Sequence, residues 1–248
     1  MSAIYILWLR ELRRYTRSRV QIIASLGQPL LYLIALGFGL GAVFRQAGRG
    51  SYIQFVAPGV IAMTVLFSAT FSGIALLWDR QFGFLKETLV APVPRAYIML
   101  GRTLGAATSS TIQGLLVATV CVIAGFRPAD WTLVPLGIAF LVLIAVVFAG
   151  LGTMIGSMLK DMQGFQMVMN FLVMPLFFLS GALFPLDGLP GPMKVATHLD
   201  PLAYGVDGLR STLIAQTFFG YALDVAVLAP LAAVFIGLGA WRFSKIQV

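Results

Sequence analysis

The sequence predicts an all-α integral membrane fold. It has six transmembrane helices, an N-terminal amphipathic interfacial helix, and a short re-entrant or capping helical segment before the last span. Three observations predict it: six long apolar stretches, a composition poor in charge, and a lopsided distribution of Lys and Arg.

The stretches are Ile22–Phe44, Phe55–Leu77, Leu104–Phe126, Leu133–Leu159, Phe165–Phe184 and Tyr221–Trp241, each of 20 to 27 residues. A hydrocarbon core about 30 Å thick needs about 20 helical residues at 1.5 Å rise. Hydrocarbon supplies no water to backbone groups, so each stretch is expected to be helical. The chain is 59% hydrophobic and 10% charged, with mean hydropathy +0.94. A water-soluble core of this size cannot hide so much apolar surface. One membrane domain over residues 1–248 is the economical reading, with 1–21 interfacial, 78–102 a cytoplasmic segment, and 185–220 an extracellular loop with short helices. The start does not read as a cleaved signal peptide, because its apolar run exceeds the usual 7–15 residues or so.

Net charge is +8, and its placement sets a direction. With the N-terminus inside, 12 of the 17 basic residues fall on inside segments and five outside. By the Lys/Arg bias both termini are expected in the cytoplasm. The basic balance reads as topology and contact with lipid headgroups rather than nucleic-acid binding.

Along the chain, Ile4, Tyr5, Trp8, Leu12 and Tyr15 share one arc of a helix, with Arg10, Arg13, Arg14 and Arg17 opposite. This predicts a basic amphipathic helix at the interface. Pro29, Pro58, Pro175 and Pro230 fall in or at the start of spans, where neighbours can satisfy freed carbonyls. Between the second and third spans, Phe82, Leu85 and Leu89 recur at helical spacing among charges, and Pro92 and Pro94 stop the helix. Such a helix can transmit force or dock in a groove of a soluble partner; it can equally lie on lipid.

Gln166 and Asn170 sit four apart in the fifth span, and Gln113 follows the cluster Thr108 to Thr111 in the third. Polar groups facing lipid are costly, so these faces should meet helices or a water-filled path. Both uses stay open. Gln113, Gln166, Asn170, Phe171 and Met174 are the candidates for a substrate path. Gly150, Gly152 and Gly156 favour close packing of the fourth span. Asp200-Pro201 reads as an N-cap with proline at the first helical position. Leu202, Val206, Leu209 and Leu213 then form one apolar face, in a helix that folds into the outer leaflet or caps a pore. The single cysteine, Cys121, reads as a core residue, and His198 as a loop contact.

No G-x-x-x-x-G-K-[ST], H-E-x-x-H or G-x-S-x-G occurs. No catalytic, cofactor-binding or metal residue is assigned. The spans hold almost no charge apart from Asp224, which disfavours an autonomous ion-coupled transporter.

The whole length resembles an ABC-2 type permease, the membrane subunit of an ABC exporter, similar to drug-resistance and nodulation-type export permeases. The resemblance rests on the basic helix before six spans, and on Gly83 to Arg95 with Gly101-Arg102. It rests further on Phe178 to Pro190, and on Asp200-Pro201 through Asp207 to Arg210. Where the family has Gly-Thr-Leu-Glu, this chain has Gly83-Phe84-Leu85-Lys86, with acid only at Glu87.

The resemblance implies a transport subunit without its own ATPase site, working with two copies of an ABC ATPase. ATP and Mg would be bound by that partner. It also implies a second copy of the chain or a close paralogue, in the cytoplasmic membrane of a bacterium or archaeon. The implied cargo is amphipathic, drug-like or lipid-linked, moving outward. Asp79, Phe82, Gly83, Leu85, Lys86, Glu87, Leu89, Pro92 and Arg95 would couple to the ATPase. The competing readings are a non-transporting membrane scaffold and a lipid-modifying membrane enzyme.

Overall fold

The computed structural model describes residues 3–39, 41, 51–84, 90, 93–186 and 190–245. Among them every regular element is helical, and there is no strand. The helices are α1 Ala3–Arg17, α2 Arg19–Gly39, α3 Tyr52–Phe71, α4 Ile74–Gln81, α5 Arg95–Ile123, α6 Val134–Met158, α7 Met162–Leu179, α8 Gly191–Leu199, α9 Pro201–Ile214 and α10 Tyr221–Ser244. A 3-10 turn at Trp131–Leu133 leads into α6.

Five helical stretches are long and apolar enough to cross a membrane: α3 with α4, α5, the turn with α6, α7, and α10. They match five of the expected spans. The first expected span corresponds to α2, whose apolar part is Ser25–Gly37; its expected end at Phe44 lies outside the described residues. Pro29, Pro58, Pro175 and Pro230 all sit inside helices.

In hydrocarbon, burying apolar side chains against each other gains little over burying them in lipid, so close backbone approach must hold the bundle. The crossing of α6 with the α3–α4 junction shows it. A Cβ on Gly152 would stand 2.1 Å from the Thr70 carbonyl oxygen, and one on Gly73 would stand 2.0 Å from that of Gly152. Only hydrogen fits at either point. The core runs along α3, α5, α6 and α9, and includes the fully buried Ile61, Leu66, Ile144 and Phe148.

The helix ends are closed by side chains. Arg80 Nη1 donates to the Leu159 carbonyl at the end of α6, where a cation also suits the helix dipole. Asp200 accepts from the Leu202 N–H at 2.8 Å and caps α9, as the Asp-Pro pair predicts.

α9 differs from the expected one-faced loop helix. Leu202 to Leu213 are all buried, because α9 is wedged among α3, α6 and α10. Its polar residues turn inward and bond locally, as Ser211 and Thr212 do to the Gly208 carbonyl.

Candidate functional site

At the end of the bundle that carries α1, a charged knot joins three distant parts of the sequence. Asp79, near the end of α4, accepts hydrogen bonds from Arg102 Nη2 of α5 and from Arg10 Nη2 of α1, the latter at 2.9 Å. Arg102 is 4% exposed. Glu11 of α1, which is buried, pairs with Arg14 at 2.7 Å and Arg10 at 3.5 Å, so a second carboxylate is also met by cations.

The local sequence builds this knot. Gly101 and Gly105 put a flat strip on α5, and α1 lies against it. A Cβ at Gly105 would stand 2.6 Å from Glu11 Cβ, and one at Gly101 would stand 2.8 Å from Leu7 Cβ. Trp8 Nε1 then donates to Thr108 Oγ1 at 3.0 Å. The seat rotates α1 by roughly 60° from the apolar arc read in the sequence, at 100° per residue. Glu11 and Tyr15 are buried while Tyr5 is exposed. Contact with α5, rather than sequence amphipathicity alone, decides which face turns inward.

Beside the knot a cavity of about 400 Å³ runs between α1, α2, α3 and α5. Its polar wall includes Glu11, Gln28, Ser68, Arg102, Ser110 and Gln113. Ser110 Oγ donates to Ser68 Oγ at 3.0 Å across two helices. A space lined with hydroxyls, an amide and ionised groups can hold water or the polar part of an amphipathic molecule.

The expected coupling residues divide. Asp79 is turned into the bundle as the acceptor of the knot. Phe82 is exposed and stacks on Trp78, with centroids 5.2 Å apart. Gly83, at φ +82°, follows the end of α4. Arg95 opens α5 and donates to the Ser244 carbonyl at 2.9 Å, tying α5 to the end of α10. Leu85, Lys86, Glu87, Leu89 and Pro92 lie outside the described residues.

The expected path residues also divide. Gln113 lines the internal cavity. Gln166, Asn170, Phe171 and Met174 instead share one exposed face of α7, where Phe171 is 83% exposed. The structure does not bring the two sets together.

Sequence reasoning missed the seat of α1 and the Asp79–Arg102 pair. A signal for the pair existed: an acid near the end of the second span and a base near the start of the third flank one short segment.

The fold defines an integral membrane protein with a charged junction at one end. Residues 2–214 match the family model of the ABC-2 type transporter, and the chain belongs to that family. It is similar to nodulation protein J of Bradyrhizobium diazoefficiens, with 30% identity over 85% of this chain and 80% of that one. Nodulation protein J of Rhizobium leguminosarum bv. viciae is 27% identical over 89% of this chain and 86% of its own. The inner membrane transport permease YadH of Escherichia coli K12 is 30% identical over 82% and 80%. The chain is therefore a membrane transport component of the ABC-2 type.

Proposed function

We propose that this chain is the permease subunit of an ATP-driven exporter, moving an amphipathic or lipid-linked substrate outward across the cytoplasmic membrane. Hydrolysis takes place in a separate ABC ATPase dimer that binds ATP and Mg. The observation that carries the reading, beside the family match, is the Arg10–Asp79–Arg102 knot. It ties α1 and the end of α4 to α5, so that force applied at either reaches a membrane-crossing helix. The segment from Asp79 to Arg95 and the basic face of α1 form the docking side.

Two copies pair in the membrane through exposed faces such as that of α7 with Gln166, Asn170 and Phe171. Amides on an outward face favour a partner helix or a polar route over lipid. The polar cavity beside Gln113 receives the head of the cargo from the inner leaflet side. Both termini are cytoplasmic, in keeping with the 12 basic residues on that side.

Reconstitution of the permease with a cognate ABC ATPase in proteoliposomes tests this. ATP-dependent, substrate-stimulated hydrolysis is expected, and Glu87→Lys is expected to abolish the stimulation without dispersing the dimer. An ATPase that neither binds the permease nor responds to it overturns the reading. A reporter fused after Val248 that reads as external overturns the orientation.

A further inference from the structure

We propose that the cavity at the end of the bundle opposite α1 binds the acidic head of an amphiphile, with Arg210 as its charged anchor. The inference rests on the permease reading only for the side of the membrane on which this cavity opens.

Arg210, on α9, is 6% exposed and lines a cavity of about 690 Å³. Its guanidinium lies over the Phe55 ring, 4.0 Å from the centroid. Nη2 donates to the Ala182 carbonyl at 3.2 Å, while Nε has no acceptor among the described residues. An arginine has five N–H donors and cannot shed its charge, so most of this capacity is unspent.

The acid one turn earlier favours the charge on Arg210 through space but makes no ion pair with it. Asp207 accepts the N–H groups of Phe218, Phe219 and Gly220 and the Thr217 hydroxyl, at 2.7 to 3.2 Å. Its carboxylate is committed to holding that loop. Among the described residues no carboxylate forms an ion pair with Arg210.

A second cation stands at the rim. Arg127 lines the same cavity and donates through Nη1 to the Val122 and Phe126 carbonyls at 2.8 and 3.0 Å. With its amide oriented to suit both partners, Gln54 bonds the Arg127 C=O and N–H at 2.9 and 3.0 Å, which fixes that turn against α3.

A buried cation with no directly bonded anion is costly, even with the Asp207 charge one turn away. Stacking on Phe55 offsets part of that cost, and an oxyanion would supply the rest. The planar fork suits carboxylate or phosphate. Phe55, Leu186, Val206, Ile214 and Phe218 give the same cavity an apolar wall. It therefore suits an acidic head with an apolar tail better than a bare ion. Acidic membrane lipid and acidic exported amphiphile share that chemistry.

The test uses the full-length permease in neutral detergent micelles, with radiolabelled 1-oleoyl lysophosphatidate and monoolein as probes. Saturable binding of lysophosphatidate at least about ten-fold tighter than monoolein is expected, the scale of a charge-assisted hydrogen bond. Arg210→Gln should erase the preference and Arg127→Gln should weaken it several-fold. Displacement by phosphatidylglycerol would identify membrane lipid as the occupant, and failure to displace would identify a single-tailed amphiphile; either outcome supports the acidic site. Equal affinity of the wild type for the two probes overturns the proposal, as does an unchanged preference in both variants. Should Arg210→Gln not fold, Arg127→Gln decides alone. Binding is read without ATPase or membrane orientation, so its failure is distinguishable from failure of the transport assay.

Discussion

Replacing Asp79 with Asn should damage the fold more than removing either of its partners. Asp79→Asn leaves Arg102, only 4% exposed, with no carboxylate bonded to it. Breaking a buried pair from one side typically costs about 3–5 kcal/mol, because the remaining charge is uncompensated. Arg102→Met removes the buried cation itself, while Asp79 keeps Arg10 at 2.9 Å. Its cost should be smaller, about 1–3 kcal/mol, mostly lost hydrogen bonding. Arg10 is 42% exposed at its side chain, so Arg10→Gln should cost no more than about 1 kcal/mol. The Asp79→Asn, Arg102→Met double variant has no stranded charge. It should be more stable than the sum of the single losses implies, by about 2 kcal/mol or more. Reversible unfolding in mixed micelles, titrated with SDS and followed by circular dichroism, measures all four. Equal losses for Asp79→Asn and Arg10→Gln, or strict additivity of the double variant, would refute the claim that Arg102 depends on Asp79.

Gly105→Val should lift α1 from α5, since its Cβ would meet Glu11 Cβ at 2.6 Å; a disulfide crosslink engineered between the two helices should form several-fold less efficiently than in the parent. Gly152→Ala should abolish folded expression, because its Cβ would stand 2.1 Å from a backbone oxygen that cannot yield, and size-exclusion profiles of the solubilised protein check this. Asp224→Asn should leave thermal stability unchanged or raise it: the carboxylate is 0% exposed and neither oxygen has a partner among the described residues, so a neutral isostere removes a desolvation cost. Burial pushes the Asp200 carboxyl up to about 8, against the lowering effect of the Leu202 and Ala203 N–H groups. The folded state thus holds a proton that the unfolded chain has already released, and this contribution to stability is lost as pH rises from about 4 to about 8. Asp200→Asn keeps a good N-cap and should flatten that part of the stability–pH curve.

Membrane residence and five spans that overlap the helices are legible in the sequence because hydrocarbon imposes one-dimensional rules, although α5 starts at Arg95 rather than at the expected Leu104; the family is legible through motifs instead. A segment must be apolar over about 20 residues and must satisfy its own backbone. The Asp200 cap is likewise local, needing only a side chain two residues from the N–H it accepts. The candidate sites are not local. Asp79 looks in sequence like one charge of an exposed coupling segment, yet α4 carries it to Arg102 and Arg10, 23 and 69 residues away. Gln113 and Gln166 look alike in sequence, as amides within spans; tertiary packing puts one in a cavity and the other on an outward face.

Glu11 shows the physical reason most directly. A helical wheel counts it against burial, because it weighs each side chain against solvent. The structure buries it, because two glycines on α5 admit the backbone of α1 and two arginines of α1 answer the charge. Composition and periodicity by themselves determined that this chain crosses a membrane; its motifs, and not its periodicity, pointed to the family that residues 2–214 match. Only the tertiary structure decided which charges face each other, since pairing depends on distances between helices that no single helix encodes.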